Sequence, residues 1–381
     1  MIALTFVLLL QTANSDIIVS GKRLSDAHQT FVEQGCSPLR DAQASIAFAE
    51  QQFRDGAYLK ARRTLEAAIS RNKRHAATDP KPVSALYEAY ATVSLHDGDL
   101  DAFKRAVGNQ VRTLRDNLPA NDPAVVAAAF APGDMWLGLR NGRSAEISYR
   151  TVEREALAEG NAVLALQATL RRVGLANARG DTAGAARLMA DAEARPIAVD
   201  RKLRSVLQVV RLRLAAEQKD DQQIDKLVKA ISQDGLTRPT LIWAPPYEVS
   251  GGAAALDEAA KFDMSNPDPA RSSDVDPIQW VDIGFWIRPD GKTDEPEILR
   301  GSRSSGWAGS LINQVSQRRY SSFSNSNSDR GIYRVERFTL RGTYQVPLDA
   351  LIRRRSGATR LEVLDLTQPD TSAREPVVAE M

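Results

Sequence analysis

Few residues of this 381-residue chain have the types and spacing that enzyme chemistry or metal binding requires. A catalytic histidine works with a serine and an acid, or with a cysteine. No such set is recognisable in the sequence around the three histidines, His28, His75 and His96. The single cysteine, Cys36, cannot close an internal disulfide. We interpret it as a structural thiol, with a reactive thiol or an intermolecular disulfide as the alternatives. The sequence therefore predicts no catalytic residues, and we expect a protein that is not an enzyme.

Two stretches begin like a calcium-binding loop, with acidic or amide side chains at alternate positions. The first is formed by Asp97, Asp99 and Asp101, but it lacks the glycine and the glutamate that such a loop needs further on. The second, 325–329, leads to Glu336 at a suitable distance, but an arginine replaces the glycine of the sharp turn. Glycine-rich nucleotide-binding motifs are missing too. We therefore predict neither a metal site nor a cofactor.

The overall charge of the chain is close to neutral. The chain has 50 lysines and arginines and 48 aspartates and glutamates, which gives a net charge of +2. A nucleic-acid-binding protein usually concentrates basic residues on one face, and here the arginine runs at 318–319 and 353–355 are short. We interpret these runs as solvated surface and predict no nucleic-acid partner.

The N-terminus has the features of an export signal. An apolar run from Ile2 to Leu10 is too short to span a bilayer, and small residues follow it. This pattern predicts a signal peptide over residues 1–15, followed by an N-terminal segment over 16–37, and hence a periplasmic protein. The run has no preceding basic residue, so the alternatives are a buried strand or an uncleaved segment that leaves the protein membrane-associated. No later segment is long and apolar enough to form a transmembrane helix.

Residues 38–235 contain an internal repeat. Apolar residues recur there at helical spacing, and turns interrupt them near Gly56, Gly98, Gly142, Gly180 and Lys219. The turns lie about forty residues apart, a step typical of stacked helix–turn–helix units. One such unit cannot bury its apolar face alone, whereas a stack of units builds a continuous core. The pattern therefore predicts an all-α solenoid.

The best-preserved turns, Gly56 to Ala61 and Gly180 to Ala185, place small residues where two helices would pack closely. In this arrangement the region resembles the tetratricopeptide repeat, although the usual unit of that family is shorter, at about 34 residues. The resemblance implies helical hairpins with a concave groove that binds peptides or proteins. The alternative is a spacer that only positions the next domain.

A proline-, glycine- and serine-rich stretch, 236–277, reads as a linker and precedes a second domain at 278–368 and a disordered tail at 369–381. In this domain, Val281 to Ile287 alternate strictly between apolar and polar, and a Pro-Asp-Gly turn follows. The predicted return strand contains Pro296, which suits a sheet edge. A helix is expected over 307–319. The last predicted strand, 332–346, changes its apolar phase, which suggests a bulge near Glu336.

The order strand, turn, strand, helix, strand over 281–291, 298–306, 311–323 and 333–340 resembles the C-terminal domain of TonB-type energy transducers. The resemblance implies a β-β-α-β domain that contacts a partner protein through backbone groups at a sheet edge. The partner-binding residues that follow from it are Ile332, Arg334, Glu336, Phe338 and Leu340. An additional helix over 347–357 and an additional strand over 359–366 are expected, and that strand is placed to occupy the same edge.

Together these patterns predict an α+β multidomain protein: an all-α, tetratricopeptide-like solenoid followed by a small TonB-type β-β-α-β domain. The predicted function is that of an exported, non-catalytic binding or scaffold protein of the bacterial cell envelope, with an envelope protein or peptide as partner, including outer-membrane proteins. The alternative is a structural or self-assembly factor in which the second domain packs on the solenoid and the chain self-associates. An enzyme of unfamiliar type is the third reading.

Overall fold

The structure, a computed structural model, describes residues 24–33, 36–217, 239–245, 247, 278–302, 306–323, 330–341, 344–345, 354–355 and 360–367. The predicted signal peptide (1–15), the predicted linker (236–277) apart from 239–245 and 247, the tail (369–381) and the turn near Lys219 lie outside these residues. So does the second calcium-like stretch apart from its end at Glu336. The described residues form a helical part followed by a part built on β-strands.

The helical part consists of antiparallel hairpins that stack side by side. Its helices are α1 (Leu24–Glu33), α2 (Pro38–Arg54), α3 (Tyr58–Asn72), α4 (Pro80–Asp97), α5 (Leu100–Arg115), α6 (Pro123–Ala128), α7 (Ala131–Gly138), α8 (Gly142–Ala158), α9 (Ala162–Ala178), α10 (Thr182–Glu193) and α11 (Arg201–Glu217). Helices α2/α3, α4/α5, α7/α8 and α9/α10 form the hairpins. The predicted stack of helix–turn–helix units is confirmed. None of the helices that the structure describes is both long and apolar enough to cross a bilayer.

Four turns of this stack use the same backbone arrangement. A residue with left-handed φ, between 58° and 85°, is followed directly by an aspartate or asparagine that caps the next helix. The pairs are Gly98–Asp99, Arg140–Asn141, Gly160–Asn161 and Gly180–Asp181. Each cap accepts a hydrogen bond of 2.8–3.0 Å from a backbone N–H three residues further on, which satisfies a donor at the start of that helix. The turn predicted at Gly142 thus has its left-handed residue two positions earlier.

Small residues allow the hairpins to pack closely, as the repeat pattern predicted. Ala61 and Ala185, the alanines of the two best-preserved turns, are both buried, and each lies in a separate apolar core between neighbouring helices. Ala145 and Ala165 have the same place in the core that joins α8 and α9. The apolar cores follow one another along the stack, so each hairpin depends on its neighbours.

The second part is a four-stranded antiparallel sheet with one helix on it. Its strands are β2 (Gln279–Ile287), β3 (Thr293–Gly301), β5 (Ile332–Arg341) and β8 (Arg360–Asp365), in the spatial order β3-β2-β5-β8. Two short pairs accompany it: β1 (Leu241–Trp243) with β4 (Arg319–Tyr320), and β6 (Tyr344–Gln345) with β7 (Arg354–Arg355). Helix α12 (Gly309–Ser316) follows a 3-10 turn, Gly306–Ala308. It is shorter than the predicted helix over 307–319.

The alternation that defined the first strand is confirmed. Val281, Ile283, Phe285 and Ile287 are at most 1 % exposed and pack in one core with Leu311 and Val315 of α12. The predicted turn follows, with Gly291 at a φ of 81° and its backbone N–H bonded to the carbonyl of Arg288. This side of the sheet, which we call the inner face, therefore carries the core of the second part.

The bulge predicted near Glu336 is wrong. Strands β2 and β5 pair without interruption from Gln279–Leu340 to Ile287–Ile332, and β5 pairs with β8 in a single register. The register shifts lie between β2 and β3 instead. Apolar residues change phase along β5 without a bulge because Phe338 and Leu340 lie on the inner face, whereas Tyr333 and Val335 lie on the partly exposed part of the outer face.

The two additional elements predicted after this strand differ in outcome. The strand expected over 359–366 is present as β8 and lies beside β5. The helix expected over 347–357 is contradicted at the two positions of that range that the structure describes. Arg354 and Arg355 form strand β7, whose partner is Tyr344–Gln345.

Candidate functional site

The residues that could have done chemistry lie apart and have structural partners. His28 lies 3.1 Å from the hydroxyl of Ser45, and His75 accepts a hydrogen bond from the neighbouring Arg74. His96 is buried and its Nδ1 lies 2.9 Å from the hydroxyl of Thr339 in the sheet. Burial, and then the nearby cations Arg341 and Arg337, lower the pKa of His96 to about 3. His96 is therefore neutral at physiological pH and joins the two parts of the chain.

The calcium-like aspartates are partnered as well. Arg62 donates to the carboxylates of both Asp97 and Asp99, and Asp99 also caps α5. Asp101 has Lys104 as its partner at 3.3 Å. Among the residues that the structure describes, no group of three or more His, Cys, Asp or Glu side chains is arranged to hold a metal ion.

The five residues predicted to bind a partner are on a central strand and not at a sheet edge, because the additional strand β8 occupies that edge, as predicted. Partner binding by these residues stays a prediction. Ile332, Arg334, Glu336, Phe338 and Leu340 belong to β5, which has β2 on one side and β8 on the other. Both backbone groups of the intervening Val335 bond to residues just after β8. Because successive residues of an antiparallel strand turn their backbone groups to opposite neighbours, those of the five predicted residues point towards β2.

Their side chains are engaged too. Phe338 and Leu340 are fully buried in the inner-face core. Glu336 is paired with Arg318 at 2.8 Å, and Arg334 is paired with Asp365 of β8 at 2.7 Å. Arg318 is buried, so its interpretation as solvated surface is wrong. A partner could use these positions only by displacing a neighbouring strand.

The outer face of the sheet, opposite α12, is docked on the turns of the helical stack. At the centre of this contact is Arg337, which is fully buried. Its guanidinium forms two hydrogen bonds of 2.6 and 2.9 Å to the carboxylate of Asp282. It also donates to the backbone carbonyls of Phe53 and Arg54, the last residues of α2. Arg337 therefore caps the C-terminus of a helix that lies 283 residues earlier in the chain.

Aromatic and polar contacts surround this arginine. The ring of Trp280 lies 3.8 Å from the guanidinium of Arg337 and packs directly on Gly56, in the turn between α2 and α3. The hydroxyl of Tyr58 lies 3.3 Å from that of Thr339, which also contacts His96. The first turn lacks the Asx cap of the other turns, since Ala57 follows Gly56. The sheet thus covers the turn that has no cap of its own.

The contact continues along the stack to two further hairpins. Arg341 of β5 is buried, pairs with Glu362 of β8 at 2.8 Å and lies near Asp97 at the end of α4. At the end of α7, the carbonyl of Gly138 accepts a hydrogen bond from Arg360. One face of the sheet therefore holds the turn ends of three consecutive hairpins.

The two edges of the sheet differ. Strand β3 contains Pro296, two register shifts against β2 and a left-handed Glu295 with φ of 47°, all of which disfavour pairing with another strand. The prediction that Pro296 lies at an edge is confirmed. Strand β8, at the other edge, is regular and contributes Leu361 to the inner-face core.

A cavity of about 270 Å³ lies at the start of the stack. Cys36, Asp41, Arg71, Arg74 and His75 are among its lining residues. Asp41 is saturated by hydrogen bonds from Arg71, Asn72 and Ser45. The carboxylate that lines the cavity is thus already paired within the chain.

Comparisons with known proteins give no family. No protein-family model matches the chain, and no curated protein is similar to it. Among solved structures, BtubC (BKLC) from P. vanneervenii is 14 % identical with a TM-score of 0.42, over 55 % of this chain and 86 % of that one. A Podosopora anserina putative kinesin light chain with TPR-like repeats is 14 % identical with a TM-score of 0.38, over 51 % and 94 %. The resemblance to the TonB-type domain stays a prediction.

Sequence reasoning missed the docked face, because the pattern along β5 does not distinguish a docked face from a solvated one. Arg337, Thr339 and Arg341 occupy alternate positions of a strand whose other alternate positions, Phe338 and Leu340, are core residues. Such a pattern usually indicates a solvated outer face. What distinguishes a docked face from a solvated one is the partner surface, which is 243 to 284 residues away in the sequence.

Proposed function

We propose that this chain is a non-catalytic protein-interaction scaffold in which a stack of helical hairpins presents the binding surface. The observation that carries the proposal is the stack itself, built from hairpins with repeated turns and held along its turn side by a sheet. Repeat stacks of this kind expose extended surfaces, and those surfaces commonly bind peptides or proteins. The docked sheet supports this function because it fixes the relative positions of the first three hairpins.

Large apolar side chains remain exposed on this stack. They are Leu39, Leu59, Ile147, Leu157, Val163, Val199 and Val206. Leu157 and Val163 flank the tight turn at Gly160, so they lie at the same end of neighbouring helices. Exposed apolar side chains that are close together are the usual core of a protein interface.

The test is crosslinking and affinity purification of the full chain from cell-envelope extracts, with variants that leave the fold intact. Two double variants are compared. One carries Leu157→Ser and Val163→Ser, on α8 and α9, and the other carries Leu39→Ser and Leu59→Ser, on α2 and α3. Loss of a discrete partner in one variant, with unchanged thermal unfolding, supports the proposal and locates the surface. Equal recovery from both variants and the parent contradicts binding at these sites, and a folded chain that recovers no partner contradicts the scaffold function.

The proposed place of action is the periplasm. The short apolar run and the small residues of 1–15 support export, and an uncleaved run would leave the protein membrane-associated instead. Fractionation of cells that produce the chain with and without residues 1–15 tests this. Export requires that the full chain reach the periplasmic fraction and that the truncated chain stay in the cytoplasm. Equal distribution of the two chains contradicts the proposed signal.

A second candidate, a structural or self-assembly factor, is favoured by the docking of the sheet through Arg337. In this reading the TonB-type domain, whose strand–strand–helix–strand order supports the resemblance, serves to lock the stack, and assembled copies form the functional unit. Light scattering of the full chain over a range of concentrations separates the two candidates. A mass that grows with concentration supports self-assembly, whereas a constant monomer mass contradicts it.

A further inference from the structure

The outer face of the sheet carries a pair of aromatic rings beyond the region docked on the helices. Trp286 of β2 and Tyr333 of β5 are cross-strand partners, and their ring centroids are 5.0 Å apart at an angle of 57°. Trp280 and Arg337, nearer the other end of the same strands, make the contact with the stack. Both rings remain half-exposed, so the face offers an aromatic surface to another molecule.

A glycine lets this surface lie close to the sheet. The hydroxyl of Tyr333 lies directly over Gly284, in space that a Cβ atom would need. Leu299 of β3 is on the other side of the same glycine, 3.1 Å from that Cβ position, and is 45 % exposed. Tryptophan and tyrosine side chains in such half-buried settings are the residues that contribute most to protein interfaces.

Carboxylates line the edge of the aromatic surface. Asp294, Glu295 and Glu297 follow one another along the exposed strand β3. Asp294 pairs with Arg288 at 3.8 Å, and both side chains are more than half exposed. Glu297 lies beside Tyr333. The pKa of Tyr333 is raised mainly by burial, and further by the negative charge of Glu297 and the hydrogen bond to it. The carboxylates and the electron-rich ring faces both favour a cation.

A guanidinium already uses this surface within the chain. Arg330 lies 5.8 Å from the ring centroid of Trp286, within the range of a cation–π contact. The Trp286 ring, which is half-buried, therefore already packs against one guanidinium in the folded chain. The adjoining β3 edge is irregular at Glu295 and Pro296, which disfavours an added strand and leaves side chains as the means of recognition.

We propose that Trp286, Tyr333, Leu299 and the acidic side chains of β3 form a docking surface for a basic segment of a protein partner. An arginine or lysine of that segment packs on the rings and pairs with Glu297, while Leu299 covers its aliphatic stem. The proposal deepens the scaffold function and rests on it. It assigns to the sheet a second contact, separate from the apolar surface of the helical stack.

The experiment measures binding of a fluorescently labelled oligo-arginine peptide to the full chain by anisotropy, with an oligo-glutamate peptide as the control. We expect Trp286→Ala to weaken binding about tenfold, because it removes the main cation–π surface. Trp286→Phe should retain part of the affinity, and Glu297→Gln should weaken binding several-fold. Glu155→Gln, at an exposed glutamate on α8, changes the net charge equally and should leave the affinity unchanged.

Thermal unfolding of each variant establishes that the fold is retained, and Glu297→Gln, at an exposed position, keeps the test valid if Trp286→Ala fails to fold. Equal weakening by Glu297→Gln and Glu155→Gln would mean diffuse charge attraction and would overturn the proposal. Failure here is distinguishable from failure of the scaffold function. A partner that is crosslinked equally by the parent and by Glu297→Gln leaves the scaffold in place and removes only this surface.

Discussion

The helical stack and the sheet solve the problem of buried polar groups in different ways. In the stack, helix ends are satisfied locally, since Asp99, Asn141, Asn161 and Asp181 each cap the helix that they precede. In the part built on β-strands, three arginines, Arg318, Arg337 and Arg341, are at most 1 % exposed. Their main carboxylate partners come from other strands: Glu336, Asp282 and Glu362.

This difference shows where each part takes its stability from. A lost cap costs one hydrogen bond at a solvent-accessible helix end, and the rest of the hairpin can remain folded. A lost buried arginine leaves a desolvated carboxylate without its counter-ion, which is far more expensive. We therefore expect the sheet and its docking contact to respond to single substitutions more strongly than the repeat turns do.

The largest effect is expected for Arg337→Met. The substitution leaves the carboxylate of Asp282, which is 1 % exposed, paired with Arg300 and no longer with Arg337. It also removes the donors to the carbonyls at the end of α2. The free energy of unfolding should therefore fall by about 3–5 kcal/mol. Denaturant unfolding measures it. Arg300→Met removes the exposed partner of the same carboxylate and serves as the control, at about 1 kcal/mol or less. Equal losses for the two variants would contradict the central role of Arg337.

The next effect compares two turn glycines with the same backbone conformation. Gly56 and Gly180 have φ of 75° and 77°, so alanine costs about 1–2 kcal/mol of backbone strain at either position. At Gly56 the new methyl group would also meet the ring of Trp280, whereas at Gly180 it meets nothing within 4 Å. Gly56→Ala should therefore cost about 1–3 kcal/mol more than Gly180→Ala in thermal or denaturant unfolding. A null difference would mean that the sheet does not rest on the first turn.

The local caps should give smaller changes. Asp99→Ala removes the acceptor of one helix N-terminus and one of the two carboxylates paired with Arg62, and should cost about 1–2 kcal/mol. Ala57 has a similar backbone conformation to Asp99 but no capping side chain. Ala57→Asp should accordingly stabilise the chain by about 0.5–1 kcal/mol, as measured by denaturant unfolding. If Ala57→Asp destabilises instead, then the first turn has no room for a cap beneath the docked sheet.

The smallest effects are expected in the pH dependence of stability, because Asp41 in the helical part and Glu362 in the sheet have pKa values shifted in opposite directions. Burial opposes ionisation of Asp41, but hydrogen bonds from Arg71, Asn72 and Ser45 outweigh it and lower its pKa. Its stabilisation is therefore present above the unfolded pKa of about 4 and is lost as the pH falls through the folded value.

Burial raises the pKa of Glu362 against the attraction of Arg341 and Arg360. Its ionised form therefore costs stability above about pH 4, and that cost disappears on acidification.

The measurement is the free energy of unfolding of the parent, Asp41→Asn and Glu362→Gln over about pH 3 to 7. Asp41→Asn should flatten the loss of stability in acid. Glu362→Gln should make that loss steeper, because the parent gains from protonation of Glu362 and the variant does not. The same pH profile for all three proteins would show that neither carboxylate is coupled to folding.

Much of the fold could be predicted because it depends on neighbours in the sequence. The turns at Gly56, Gly98 and Gly180 follow from glycine's access to left-handed φ, and the buried face of β2 follows from alternation. The edge position of β3 follows from Pro296. The candidate site was predicted less well. The proposed strand-pairing residues of β5 lie in the middle of the sheet, because β8 has taken the position that a partner would need.

By itself, then, the sequence determined the helical periodicity, the turn chemistry and the inner face of the sheet, since each depends on residues within a few positions of one another. Only the tertiary structure decided that the outer face docks on the turns of the stack and that Arg337 caps α2. The physical reason is that burial of a charge is defined by what surrounds it. The carbonyls of Phe53 and Arg54 reach Arg337 only through the fold, and no local pattern marks the pair in advance.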